Sequence, residues 1–306
     1  MTKNFLFGVE KSFEICYHKL KSYEKGCEMR MSWLQSLIFG LFSGFAEFLP
    51  ISSEAHMVLL GKLFGMQDPG SAMRFSVHFG AVLALALSCM PQISKIMREN
   101  RIASTPVRSR KRQPDTLCLL DWRVLKSAAF FLLIGFVAYP WVGTQGQRLW
   151  ILCLGLVFNG IILYFPQFMP GANKDARSIT KLDALLIGLS GAIGVLPGIS
   201  RVGSLTSVAS VRGCQKEYAL HLTLLLSVPA LCVLLLIELA QMLAFGIAGF
   251  TFLYFLGMIT STITSFFGAY FGIKIMRFLS VKAGYSMFAY YSWGAALFAV
   301  ILYLAV

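Results

Sequence analysis

Six long, mainly apolar runs, at about 76–97, 126–142, 148–167, 218–243, 249–273 and 283–305, decide what this chain can become. A helix needs roughly 17–25 apolar residues to cross a bilayer, and each run meets that length. Composition agrees: 57% of the residues are hydrophobic and only 13% are charged, more apolar surface than one globular core can hide. In lipid every backbone polar group must be paired within its own segment or within a closed barrel. Continuous runs of this length therefore predict an all-α polytopic membrane protein.

Two further apolar segments, 33–66 and 182–211, are interrupted in the middle. The first break is EFLPISSEAH, Glu47 to His56, and the second is LPGISRVGS, Leu196 to Ser204. Each runs from an apolar helix to a proline, then to hydroxyl residues, then to another helix. Proline removes a backbone donor and clashes with the preceding turn, so both interruptions are built in.

The net charge of +13 has the right sign for nucleic acid, but its distribution belongs to a membrane protein. Loop 95–126 carries Lys95, Arg98, Arg101, Arg108, Arg110, Lys111, Arg112, Arg123 and Lys126, whereas 143–148 holds only Arg148 and 244–248 holds none. Positive residues stay cytoplasmic. Following the runs outward from that loop places 168–181, 212–217 and 274–282, all basic, on the same side. This works only if 33–66 enters and leaves on the outer side and 182–211 on the inner side, each without crossing. The expected architecture is an inverted-topology repeat, with six spanning helices plus two re-entrant broken helical hairpins. Residues 31–306 form a single transmembrane domain, with repeat one at about 31–167 and repeat two at about 182–306.

Residues 1–30 lack the apolar core and cleavage site of a secretory signal. Their six Lys/Arg would sit on the outer side, so this N-terminal extension is expected to be poorly ordered, or to precede a start near Met31. The seven cysteines are odd in number, scattered and without Cys-x-x-Cys spacing, which argues against a disulfide framework or zinc site.

Discontinuous helices in inverted repeats place their site where the breaks meet near the midplane. Ser52 or Ser53, and Ser200, stand where helix N-caps belong. Two restarting helices would aim free N–H groups into one cavity, a ready anion site.

The stretches GFAEFLPISSEAHMVLLG, SVHFGAVLALAL, LPGISRVGS, LTLLLSVPAL and GAYFGIKIMRFL, in that order, resemble the undecaprenyl-diphosphatase family of bacitracin-resistance membrane phosphatases from about residue 31 to the end. The resemblance implies an enzyme of the bacterial cytoplasmic membrane that removes the terminal phosphate of the C55 polyprenyl diphosphate on its outer face. It implies that Glu47 is the second carboxylate of a Glu/Gln-x-x-x-Glu motif, Ser53 the candidate nucleophile, His56 the following histidine and Arg201 the arginine of the second motif. Ser52, Glu54, Gly198, Ser200 and His78 are the accompanying substrate-binding candidates.

The residue chemistry fits those roles. Ser53 and His56 at i, i+3 share a helix face. Arg201 offers a fixed fork of donors for phosphate oxygens. Glu47 can act as base or, with Glu54, hold a divalent cation, Mg2+ or Ca2+, that counters phosphate charge. Plainer readings stand beside these: Ser53 as a cap, Glu47 and Arg201 as a buried structural pair, His78 as a satisfied core histidine, and His221 as an interfacial one. Intramembrane charges are functional by default, which favours chemistry for the pair.

The chain also departs from the family pattern. Ser43 replaces the first carboxylate of the motif, Val202 replaces a serine, Gly191 stands where glutamine is common, and Glu54 occupies a small or hydroxylic position. Glu54 either supplies the missing negative charge or only complements the helix dipole. A phosphatase acting on the lipid diphosphate competes with a non-catalytic carrier or flippase for the lipid phosphate. Expected partners are that lipid and membrane lipids, not nucleic acid; a homodimer is one option for assembly.

Overall fold

The computed structural model describes residues 31–66, 68–139, 142, 148–169, 173–247, 250–282 and 285–305. The expected extension 1–30 and most of the 143–148 connection lie outside them. Ten α-helices account for most of the described chain, in the order α1 (Trp33–Glu47), α2 (Ser53–Leu63), α3 (Gly70–Ser104), α4 (Thr116–Gly135), α5 (Leu149–Tyr164), α6 (Lys181–Ile193), α7 (Arg201–Val211), α8 (Lys216–Phe245), α9 (Phe252–Lys282) and α10 (Ser286–Ala305). No strand occurs among the described residues; a single bridge joins Lys174 to Cys214.

Local chemistry sets the helix ends. Helix α1 starts at a capping box in which Ser32 and Gln35 bond each other's backbone, and Thr180 with Asp183 does the same for α6. Each interrupted segment then becomes two short helices. The four pieces have 15, 11, 13 and 11 residues. At about 1.5 Å per residue they are each shorter than the roughly 30 Å hydrocarbon core.

Helices α3, α5, α8, α9 and α10 are long and apolar enough to cross a membrane. The sixth expected span, 126–142, corresponds to α4 and the 3-10 turn after it. Asp121, Arg123 and Lys126, within α4, keep that helix from qualifying by composition. Outward faces of α9 and α10 expose Phe252, Phe267, Phe271, Leu297, Ile301 and Leu304, as a lipid-facing surface would. The protein is a multi-pass membrane protein.

Close helix approach replaces hydrophobic burial as the organising force inside lipid. Helix α9 packs on α1 and α3, while α4 packs on α6 and α8; α10 packs on α5, and α3 on α8. At the α1–α9 contact a Cβ on Gly40 would lie 2.4 Å from the Ser261 carbonyl oxygen, and one on Gly44 2.4 Å from that of Ser265. At α4–α6 a Cβ on Gly188 would meet the Ala128 carbonyl oxygen at 2.3 Å. Hydroxyls bind the helices further: Ser261 donates to the Ser36 carbonyl at 2.8 Å and Ser265 to that of Val77 at 2.6 Å.

Candidate active site

The two breaks touch. Ser200 Oγ donates to the Leu49 carbonyl at 3.2 Å, so the restart of α7 lies against the end of α1. Ser200 caps α7 by accepting from the Gly203 amide at 3.1 Å. Ser52, not Ser53, caps α2, accepting from the Ala55 amide at 3.4 Å. At φ 58° Ser52 is the only residue other than glycine with positive φ among the described residues. Such strain persists only where the surroundings over-determine it, commonly at working sites. Gly198 has φ +84° and lies so close to α5 that a Cβ would sit 2.6 Å from the Leu152 carbonyl oxygen. Only glycine fits there.

Glu47, the last residue of α1, and Arg201, the first of α7, form an ion pair. Both side chains are buried, 2% and 9% exposed, so neither charge is left to water. Beside them lies a cavity of about 50 Å3 lined by Glu47, Ser52, Ser53, Glu54, His78, Tyr139, Ser200 and Arg201, with an apolar wall of Phe136, Val195, Leu196, Ile199 and Leu234. His78 Nε2 faces Glu47 Oε2 at 3.7 Å, and His78 Nδ1 bonds Glu238 at 2.7 Å. Glu47 Oε2 has no hydrogen-bond partner among the described residues. The cavity thus brings together a guanidinium, a carboxylate with a bare oxygen, an imidazole, hydroxyls and two helix N-termini.

Seven of the nine candidates from the sequence line this cavity, and two do not. His56 turns away from it: its Nδ1 bonds the Ser52 carbonyl at 2.8 Å, its Nε2 bonds the Tyr291 hydroxyl at 2.7 Å, and its ring stacks on Tyr291. The i, i+3 spacing put Ser53 and His56 on one face, but α10 supplies Tyr291 and holds the ring on its own side. Gly198 is the other, because its place is backbone packing against α5 rather than the cavity wall. Glu54 lines the cavity, yet its carboxylate is met by Arg74 at 2.9 Å.

A family model described as Bacitracin resistance protein BacA matches residues 36–298. This chain belongs to the BacA family. It is similar to an undecaprenyl-diphosphatase of Carboxydothermus hydrogenoformans, 27% identical over 274 residues, covering 86% of this chain and 94% of the relative. One from Halothermothrix orenii is 26% identical over 272 residues, covering 89% and 98%. Another, from a Nocardioides species, is 29% identical over 204 residues, covering 65% and 72%.

Three polar residues of this BacA-family site escaped sequence reasoning: Arg74, Glu238 and Asn159. Arg74 holds both Glu54 and Asp68, the latter at 3.0 Å. Glu238 is fully buried and orients His78. A charge within an apolar helix was the available signal for both. Asn159, at 0% exposure, links both breaks to α5.

Among the described residues no three His, Cys, Asp or Glu gather as a metal-binding group. Glu47 and Glu54 nevertheless face one cavity, and one Glu47 oxygen makes no hydrogen bond among the described residues. One or two carboxylates, completed by phosphate oxygens and water, are how Mg2+ is ordinarily held. Glu47 and Glu54 are the residues that would hold such an ion.

Proposed function

We propose that this chain is a membrane phosphatase that hydrolyses a C55 polyprenyl diphosphate to the monophosphate and inorganic phosphate. The observation that carries it is the buried Glu47–Arg201 pair, which closes a small polar cavity at the junction of two helix breaks in a BacA-family chain. Relatives covered over nearly their whole length are named undecaprenyl-diphosphatase, which supports the same substrate here.

Arg201 and the N-termini of α2 and α7 bind the terminal phosphate, because fixed N–H dipoles and a guanidinium match its oxygens without reorganisation. The nucleophile is either Ser53 Oγ, which gives its proton to Glu47, bonds the terminal phosphorus as the bond to the bridging oxygen breaks and leaves a phosphoserine that water then cleaves, or a water activated by Glu47. In the water route Glu47 takes the proton, a new P–O bond forms, and the bond to the bridging oxygen breaks. The lipid monophosphate then leaves. A divalent cation held by Glu47 and Glu54 would counter the charge of the leaving phosphate. Apolar Val195, Leu196 and Leu234 at the cavity wall suit the start of a polyprenyl tail.

The architecture belongs to the same proposal. Residues 31–306 form one transmembrane domain of six spans and two re-entrant hairpins, repeated in inverted orientation. Taking α1–α5 as one unit and α6–α10 as the other, the packing partners exchange: α1–α9 corresponds to α6–α4, and α3–α9 to α8–α4, while α3–α8 and α5–α10 map onto themselves. With the basic loops cytoplasmic, the enzyme lies in the bacterial inner membrane with its cavity opening outward.

Purified protein given farnesyl diphosphate or the C55 substrate, with and without Mg2+ or Ca2+, tests the activity. Wild type should release phosphate, and Glu47→Gln, Ser53→Ala and Arg201→Ala should each lower kcat by about 100-fold or more. No release by folded wild type, together with scrambling of lipid phosphate in vesicles, would favour a carrier instead.

A further inference from the structure

Asn159 lies in the middle of α5, a helix otherwise built of leucine, isoleucine, valine, phenylalanine, glycine and cysteine through that stretch. A polar amide in such a place is costly unless satisfied. It is satisfied completely: Nδ2 donates to the Pro50 carbonyl at 3.1 Å and to Ser292 Oγ at 2.9 Å, and Oδ1 accepts from the Ser200 amide at 2.8 Å. Pro50 belongs to the first break and Ser200 to the second. One side chain therefore spans the two interruptions, from a helix that belongs to neither.

The face of α5 that carries Asn159 is shaped for this contact. One turn earlier, a Cβ on Gly155 would fall 1.8 Å from the Pro197 carbonyl oxygen, and one turn later Leu163 reaches Gly203. The second break thus lies along α5 in close contact, and Asn159 extends that seat across to the first. Glu47 is three residues before Pro50, and Arg201 follows Ser200 directly. Any slip between the breaks is a slip between carboxylate and guanidinium.

We propose that Asn159 is a positioning residue for phosphoryl transfer, a strut that fixes the separation of the two breaks and so holds Glu47 and Arg201 in register across the cavity. It touches no substrate. Its effect falls on the geometry of the reacting groups, where errors of about 1 Å cost about 100-fold in rate, more than on the binding of a long apolar tail. This inference rests on the phosphatase reading.

The test is steady-state phosphate release by wild type, Asn159→Leu, Asn159→Asp and a control, Leu125→Ala, which removes buried packing from α4 eleven residues before Phe136 of the cavity wall. Thermal unfolding in detergent ranks their stabilities. Asn159→Leu should lose about 30-fold or more in kcat while KM changes by less than about threefold, and Leu125→Ala should keep kcat near wild type at a comparable loss of stability. Asn159→Asp provides the conservative comparison. Its neutral carboxyl can still donate to Pro50 and accept from Ser200, whereas its carboxylate cannot donate. Its kcat relative to wild type should therefore rise on acidification, and that of Asn159→Leu should not. An Asn159→Leu enzyme no slower than the stability-matched control overturns the proposal. So does a flat Asn159→Asp ratio, which stands as the deciding result if Asn159→Leu does not fold. Wild type that releases no phosphate sinks the phosphatase reading itself, a different outcome.

Discussion

Ser52 carries the sharpest backbone conflict among the described residues, because its side chain caps α2 while its backbone sits at φ 58°. Alanine there loses the cap, at about 1 kcal/mol, and keeps the strain. Glycine loses the same cap but relieves the strain. Ser52→Gly should therefore melt above Ser52→Ala in detergent; the reverse order would mean that the turn is not strained. Glu54 poses a different question, since it faces the cavity while bonded to Arg74. If it replaces the carboxylate missing at Ser43, Glu54→Gln will lower kcat by about tenfold or more, in the range typical of lost electrostatic or acid-base support. Full activity of that variant, measured by phosphate release, would leave it as a partner of Arg74 alone. Ser43 itself is fully buried and outside the cavity lining, so compensation has to come from elsewhere.

Among the elements, the α6–α7 hairpin has an electrostatic staple at its base. Asp183 accepts from Lys174 at 3.0 Å and from Arg212 at 2.6 Å, and from the Thr180 amide at 3.0 Å. Burial alone would raise its carboxyl, but the Thr180 amide, Lys174 and Arg212 outweigh that and hold it below the usual carboxylate range. A lowered folded-state pKa contributes stability that is complete above the unfolded value, about 3.9, and is lost as pH falls through the folded one. Asp183→Asn should thus lower the melting temperature at neutral pH, and its deficit against wild type should shrink toward strongly acid pH. A deficit independent of pH would assign the effect to the capping box. The α1–α2 hairpin has no such staple at its base among the described residues; small-residue contact with α9, Asn159 and the Glu47–Arg201 and Glu54–Arg74 pairs at its tip hold it.

For the whole molecule, the proposed inverted repeat makes a claim about sides. In a background free of native cysteines, Ser109→Cys, in the basic loop, should react with an impermeant thiol reagent only in inside-out vesicles. Lys62→Cys, at the end of α2, should react only from outside intact cells. Labelling of both from one side would end the two-unit topology. The sequence alone determined the helical class, the positions of both breaks, the Ser200 cap of α7 and the charged residues, because periodicity, proline and capping act over a few neighbouring residues. It also put Glu47, Ser53 and Arg201 among the candidates. The tertiary structure alone decided that Glu47 meets Arg201 across 154 positions, that Asn159 joins both breaks, that Glu238 holds His78, and that His56 is taken by Tyr291. Those contacts depend on how closely glycine-lined helices approach and at what rotation, a property of two surfaces together that neither segment encodes by itself.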